Sequence, residues 1–500
     1  MLKNILANWS NIILSALSVF VLYPFFVKTV GEDQYGVWLL IASIVGYFAL
    51  IQLGVPLANV RFVSKYYAQG DYYKLNEVLG ANIFLFSLMA VFTLIVGLLL
   101  SYFLEFFFQI PLEFLRYAKL ALIIASFEIA VRFLFEVVEG VLHARQEFIV
   151  INIVRNILIV VRVLLSFLLV DYGHGLLWIA VLLLFTAIVE SLLFAFYVKR
   201  RYPQLKFAPH IASKKVLSEI FGYSGFVLLF QLASRISFQT DALVLASVVS
   251  VASVVWFGVA NSLLLYLTQL IVGVSNVLMP KISELDALNE TEAIRVNYLR
   301  VTRITGLFVF PICLSLHLYG GDFIQLWMGD NYREISKYVL SVLALGYSFF
   351  LVQRGVGFPV LMGMSKMKWP TLIMFVGALV NLLLSIWWGR LYGISGVAWG
   401  TACPTILVAF LLMFYISSLL RISIATVAYE SLLLPLFSLL PLYFGYLVAA
   451  KIVHFSSYPG LIAKVFITSI ICLMGLFFFL KKQDKNQILS LLKYRKGYDR

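Results

Sequence analysis

Of the chain's 500 residues, 62% are hydrophobic and only 12% are charged, against about 45–50% and about 25% in an ordinary soluble domain. That composition suits lipid as solvent and leaves no stretch for a sizeable soluble domain. The formal net charge of +14 is basic enough to raise nucleic-acid binding, but lysines and arginines in loops that meet anionic lipid headgroups explain it better.

Apolar stretches of about 20 residues, the length that crosses a hydrocarbon core of about 30 Å, recur along the whole sequence with short polar breaks. Hydropathy predicts spans at 6–28, 37–60, 80–104, 118–139, 148–170, 175–198, 219–241, 252–279, 302–321, 338–361, 370–390, 395–417, 427–450 and 459–480. Unsatisfied backbone groups are too costly in hydrocarbon for anything but helices or closed barrels, and these stretches are too uniformly apolar for barrel strands. The expected fold class is all-α, a polytopic membrane protein of about 14 helices. The first span follows a single lysine and lacks a small-residue cleavage site, so it reads as retained rather than as a removed signal.

An even number of spans puts both termini on one side. The connections on that side, with the tail, hold 25 Lys and Arg and the opposite ones hold 7, so the termini are expected in the cytoplasm. The longest charged connection, within 200–215, divides the chain into similar halves. The expected organisation is a six-helix lobe at 1–200, a linker at 201–218, a second six-helix lobe at 219–418, two further helices at 419–480 and a basic tail at 481–500. An internal repeat supports the division. At an offset of 219, Gln34 to Trp38 falls on Ser253 to Phe257, Ser64 on Ser283, Ala68 on Ala287 and Asp71 on Glu290. Further on, Tyr172-Gly173 falls on Tyr392-Gly393 at an offset of 220 and Trp178 on Trp399 at 221. Six spans per copy makes the repeat parallel, with its axis along the membrane normal.

Ionisable side chains inside spans are expensive and mark function unless they pair or snorkel. In chain order, Asn8, Asn11 and Gln52 are polar points of the kind that hold helices together. Arg132 has Glu128 and Glu136 one turn to either side, which permits pairing within the helix. Arg155 and Arg162 share a face of the fifth span with no acid at three or four positions. Glu190 in the sixth span has no basic residue one turn away. It is expected to pair with an arginine of another helix or to accept a coupling ion, H+ or Na+. In the seventh span Arg235 lies between Gln231 and Gln239 in one polar stripe that does not suit lipid. Arg354 lies toward the cytoplasmic end of the tenth span, where snorkelling and function are equally open. Arginine's planar fork suits phosphate oxygens, so Arg155, Arg162, Arg235 and Arg354 are the candidate substrate-binding residues and Glu190 the candidate ion-coupling residue.

Catalysis is weakly signalled. Cys313, Cys403 and Cys472 sit in apolar stretches, and His143, His174, His210, His317 and His454 lack metal spacing. No phosphate-binding glycine loop or nucleophile elbow occurs, and Asp322, Asp330 and Glu334 stand in a short external loop. No catalytic residue, metal or cofactor is expected.

The sequence resembles the polysaccharide and lipid-linked oligosaccharide flippases of the multidrug/oligosaccharidyl-lipid/polysaccharide exporter superfamily. The resemblance is carried by Val30-Gly31-Glu32-Asp33-Gln34-Tyr35-Gly36-Val37-Trp38, Leu53-Gly54-Val55, Ala68-Gln69-Gly70-Asp71 and Gly140-Val141-Leu142-His143-Ala144-Arg145. It continues through Thr240-Asp241-Ala242-Leu243-Val244-Leu245, Pro280-Lys281-Ile282-Ser283 and Tyr392-Gly393-Ile394-Ser395-Gly396-Val397-Ala398-Trp399. In order, these motifs cover nearly the whole chain. The resemblance implies two six-helix lobes around a cavity that opens alternately to each side of the inner membrane. It also implies a polyprenyl-pyrophosphate-linked oligosaccharide as substrate, moved outward by an ion gradient or the membrane potential. The expected partners are that lipid-linked sugar, membrane lipids and a coupling ion, with no nucleic acid. A drug/cation antiporter of the same superfamily would favour acidic cavity residues over unpaired arginines. A membrane-embedded sugar-transfer or polymerising enzyme is the alternative from another class.

Overall fold

The computed structural model describes residues 2–52, 54–171, 173–207, 225–453 and 457–479, so the basic tail from 481 and most of the 201–218 connection lie outside the described residues. Among the described residues every regular element is a helix. The spans in chain order are Leu2–Val30, Glu32–Phe48 with Val55–Gln69, Tyr72–Tyr102, Leu112–Ala144, Phe148–Leu169 and Gly175–Arg201. They continue with Gly225–Val248, Val251–Ala287, Thr291–Met328, Asp330–Gly363, the two arms of Lys368–Leu419, Ile424–Ile452 and Tyr458–Phe479. Among the described residues, eleven helices are long and apolar enough to cross a membrane when Lys368–Leu419 counts as one. Gly393 (φ 62, ψ −138) splits that helix into the eleventh and twelfth spans. The fourth and seventh complete fourteen; the fourth is kept out of the apolar class by the charges that make it interesting. The protein is therefore an all-helical multi-pass membrane protein.

The second span differs from the continuous helix expected at 37–60. A single turn of 3₁₀-helix at Ala49–Gln52 ends the first segment, and Gly54 (φ 78), followed by Pro56, starts the next. Proline fits a helix's first turn, where its missing N–H costs nothing, and glycine accepts the left-handed φ before it.

Backbone conformation repeats where sequence repeats. Gly70 (φ 69) ends the helix before Asp71, and Asn289 (φ 59), 219 residues later, ends the helix before Glu290. Gln146 (φ 57) and Ser365 (φ 56) are a second pair of left-handed residues at that offset. Glycine and asparagine are the residues that best tolerate this cap. Asp71 then accepts the Lys74 N–H at 3.0 Å, which holds its carboxyl below the usual carboxylate range.

The helices gather into two compact units that do not follow chain order: residues 1–258 with 374–400, and 259–373 with 401–500. In the first unit the fourth span is central, packing against the third and sixth, while the first packs against the fifth. Leu79, Phe86, Phe133, Val137, Leu142 and Val198 form part of its buried core. The GEDQYGVW segment is explained here. Tyr35 meets Tyr23 edge-on at 4.9 Å, Tyr23 donates to the Val255 carbonyl at 2.9 Å, and any side chain at position 36 would collide with the Val251 carbonyl. In the second unit the ninth span packs against the tenth and against both C-terminal helices. Two single-turn π-helices, Gln353–Gly357 and Tyr429–Leu433, pack on that ninth span.

Candidate functional site

The charged residues of the fourth span form one stripe. Positions 128, 132, 136, 139 and 143 fall within an arc of about 80° at about 100° per residue, so Glu128, Arg132, Glu136, Glu139 and His143 all face the same side. Phe148–Leu169 and Gly175–Arg201 bring Arg155, Arg162 and Glu190 to it. Arg132 donates to Glu128 one turn earlier and to Glu190 at 3.3 Å. Arg155 bridges two helices, reaching Glu190 at 2.7 Å and Glu139 at 2.6 Å, and His143 reaches Glu139 at 3.2 Å. Glu128 and Glu190 are only 7% and 8% exposed, and carboxylates so placed need charged hydrogen-bond partners.

Beside this network a cavity of about 350 Å³ opens within the first unit, far above the roughly 10–15 Å³ that accommodates one water on this measure. Its lining includes Trp38 and Gln52 of the second span, Glu128, Arg132 and Glu136 of the fourth, and Arg235 of the seventh. The second and seventh spans approach closely here. The Tyr47 hydroxyl contacts the Thr240 hydroxyl and donates to the Arg235 carbonyl at 3.4 Å. Asn59 braces the fourth span from behind: its amide reaches the carbonyls of Glu136 and Val137 at 3.4 Å, and Asn82 donates to it at 2.9 Å.

Of the candidates nominated from sequence, Arg235 lines the cavity and makes no ion pair among the described residues. Arg155 and Arg162 are not in its lining. Arg155 belongs to the ion-pair network, because its partners come from other helices and no search along its own helix could find them. Arg162 lies in the electrostatic field of Arg132, Glu128 and Glu190 without a close ion pair. Glu190 is the counterion of two arginines. Arg354 belongs to the second unit, in the π-turn of the tenth span, where its carbonyl accepts the Ser275 hydroxyl at 3.0 Å. Glu128, Arg132 and Glu136 are cavity residues that sequence reasoning passed over as a self-contained helical triplet. Its continuation to Glu139 and His143 at helical spacing was the available signal. Asn8 and Asn11 bind Asn152 at 2.6 Å and Asn156 at 2.9 Å, holding the first and fifth spans together.

Comparison with known proteins agrees with this architecture. The chain is 21% identical over 392 residues to a putative O-antigen transporter of Shigella flexneri, covering 78% of this chain and 91% of that one. It is 22% identical over 391 residues to the uncharacterized membrane protein EpsK of Bacillus subtilis, covering 77% of this chain and 76% of that one. Its fold is similar to that of lipid II flippase MurJ in an inward closed conformation, with a TM-score of 0.72, 19% identity, and coverage of 96% of this chain and 99% of that one. An inward-facing multidrug resistance MATE family transporter gives a TM-score of 0.63 at 15% identity, with coverage of 81% of this chain and 98% of that one. A MatE family model matches residues 3–168. The model for polysaccharide biosynthesis proteins matches residues 86–337, which takes in the fourth to ninth spans, the charged network and Arg235. On that match the chain belongs to the polysaccharide biosynthesis protein family.

Proposed function

We propose that this protein is a flippase that moves a polyprenyl-pyrophosphate-linked oligosaccharide from the cytoplasmic to the outer leaflet of the inner membrane by alternating access. The observation that carries the proposal is the cavity of the first unit, where Arg132 and Arg235 come from different spans to one space, beside the carboxylates of Glu128 and Glu136. A pyrophosphate cannot cross hydrocarbon unaided, and a wet chamber that offers arginine donors lowers that barrier while the polyprenyl tail stays in lipid. The relatives, an O-antigen transporter and a lipid II flippase, support a lipid-linked sugar as cargo and transport rather than bond-making as the activity. The two lobes are 1–200 and 219–418, related by rotation about the membrane normal, and the repeated left-handed caps support that pairing. Glu190 serves as counterion rather than as the coupling site, since two arginines already hold it. Drug/cation antiport is the second reading, favoured by the carboxylates Glu128 and Glu136 on the cavity wall.

Arg235→Ala is expected to lower transport of the lipid-linked sugar at least tenfold per molecule, the effect of losing one charge-assisted hydrogen bond worth about 1.5–3 kcal/mol. Membrane abundance should stay near normal, because no ion pair is broken. Arg235→Lys should recover part of the activity, keeping the charge but not the two-pronged geometry. Undiminished sugar transport by the alanine variant would overturn the role of Arg235, and cation export by wild type without sugar transfer would favour the antiporter. Orientation is tested separately: reporter fusions after residues 210 and 490 should report cytoplasm and one after 330 the outside, and a reversed pattern overturns the assignment.

A further inference from the structure

We propose that Glu136 is the proton-binding group that decides whether this cavity holds an anion. The inference rests on the reading of the cavity as an anionic headgroup site and adds the group that couples it to protons. Glu128, Glu139 and Glu190 each have a cation at hydrogen-bonding distance: Arg132 for the first, Arg155 for the second, which the His143 ring also meets, and Arg155 and Arg132 for the third. Glu136 has none among the described residues, although it lines the same cavity as Arg132 and Arg235. The amide of Asn59 reaches its backbone carbonyl at 3.4 Å and not its carboxylate. The charged groups around it are Glu128, Arg132, Glu139 and His143 on its own helix, Arg155 and Glu190 on the fifth and sixth spans, and Arg235 on the seventh. The second and third spans contribute the neutral Gln52, Asn59 and Asn82.

The chemistry follows from this arrangement. An ionised Glu136 puts a negative charge on the wall of a space of about 350 Å³, where a pyrophosphate between Arg132 and Arg235 would lie within several ångströms of it. Two like charges about 8 Å apart at an effective dielectric of about 20 oppose each other by about 2 kcal/mol, enough to lower affinity about thirtyfold. A protonated Glu136 removes that repulsion and gains an O–H that can donate to a phosphoryl oxygen. Proton and anion therefore bind together: affinity for the anion rises as pH falls, and bound anion strengthens the hold on the proton by the same factor. Loss of the proton weakens the hold on the headgroup by that same factor.

The test is binding of farnesyl pyrophosphate to the purified full-length protein, by calorimetry at pH 8 and pH 5.5, for wild type, Glu136→Gln and Glu136→Asp. The ligand's own titration is common to all three and cancels in their ratios. Glu136→Gln should bind about thirtyfold more tightly than wild type at pH 8 and about equally at pH 5.5, while Glu136→Asp keeps the wild-type pH dependence. Glu136→Ala serves as a second neutral variant if the glutamine variant does not fold. A ratio of neutral variant to wild type near one at pH 8, or one that does not change with pH, overturns the role of Glu136 while leaving the anion site intact. Wild type that binds no farnesyl pyrophosphate at either pH, or binds it no better than Arg235→Ala, overturns the anion site itself.

Discussion

Arg303→Ala should cost about 3–5 kcal/mol, the penalty of breaking a buried ion pair, and much of the protein should disappear from the membrane. Arg303 in the ninth span donates to Glu430 in the thirteenth at 2.7 Å, and their side chains are 4% and 7% exposed. Glu430 sits in the π-turn Tyr429–Leu433, a wide turn that interrupts the thirteenth span where it meets the ninth. Beside it Gly306 leaves room for Pro435, whose ring lies where a side chain at position 306 would begin. The pair thus ties the thirteenth span to the ninth. A total stability of about 5–15 kcal/mol leaves little margin for such a loss. Glu430→Ala should be as damaging, whereas the double replacement Arg303→Met with Glu430→Leu should restore most of the abundance, because apolar residues of similar volume need no counter-charge. Thermal unfolding in detergent and membrane abundance read the effect. Single variants as stable as wild type would show that the pair does not hold these helices.

Arg155→Ala is expected to fail differently from Arg235→Ala. Its guanidinium spans Glu139 and Glu190, two carboxylates on separate helices, so its removal leaves Glu190 with Arg132 at 3.3 Å as its remaining ion pair and Glu139 with His143. A loss of about 3 kcal/mol is the expectation for breaking a buried pair of this kind. It should appear as several-fold lower abundance with near-normal transport per molecule. Arg155→Lys should recover abundance only in part, since a single ammonium lacks the fork that reaches both acids at once. Normal abundance with transport abolished would instead make Arg155 a substrate ligand. Glu190→Ala should be milder, because Arg132 keeps Glu128 and Arg155 keeps Glu139.

Span number and order were legible because uniform hydropathy over about 20 residues has one physical solution in lipid. The second span misled because its break depends on the left-handed φ of Gly54 and the proline after it, two residues that barely alter average hydropathy. The structure adds to the repeat what apolar matches do not carry: Gly70 and Asn289, unlike as side chains, share a backbone conformation. The site was only half legible. Arg235 stands out as a lone cation in an apolar helix, and it does line the cavity. Arg155 looked equally alone because ion pairs within a helix can be counted from sequence and those between helices cannot. Arg132 presented the reverse case, apparently neutralised by its neighbours on the helix while also facing the cavity.

The central claim is tested most directly with purified protein in liposomes carrying a fluorescent polyprenyl-pyrophosphate-linked oligosaccharide in the inner leaflet. Access of a membrane-impermeant quencher to the sugar reports its transfer between leaflets. The account predicts fast transfer with wild type, protein-free rates with Arg235→Ala, and near wild-type rates per molecule for whatever Arg155→Ala protein can be recovered. Transfer by wild type no faster than in empty liposomes, or undiminished by Arg235→Ala, would contradict it.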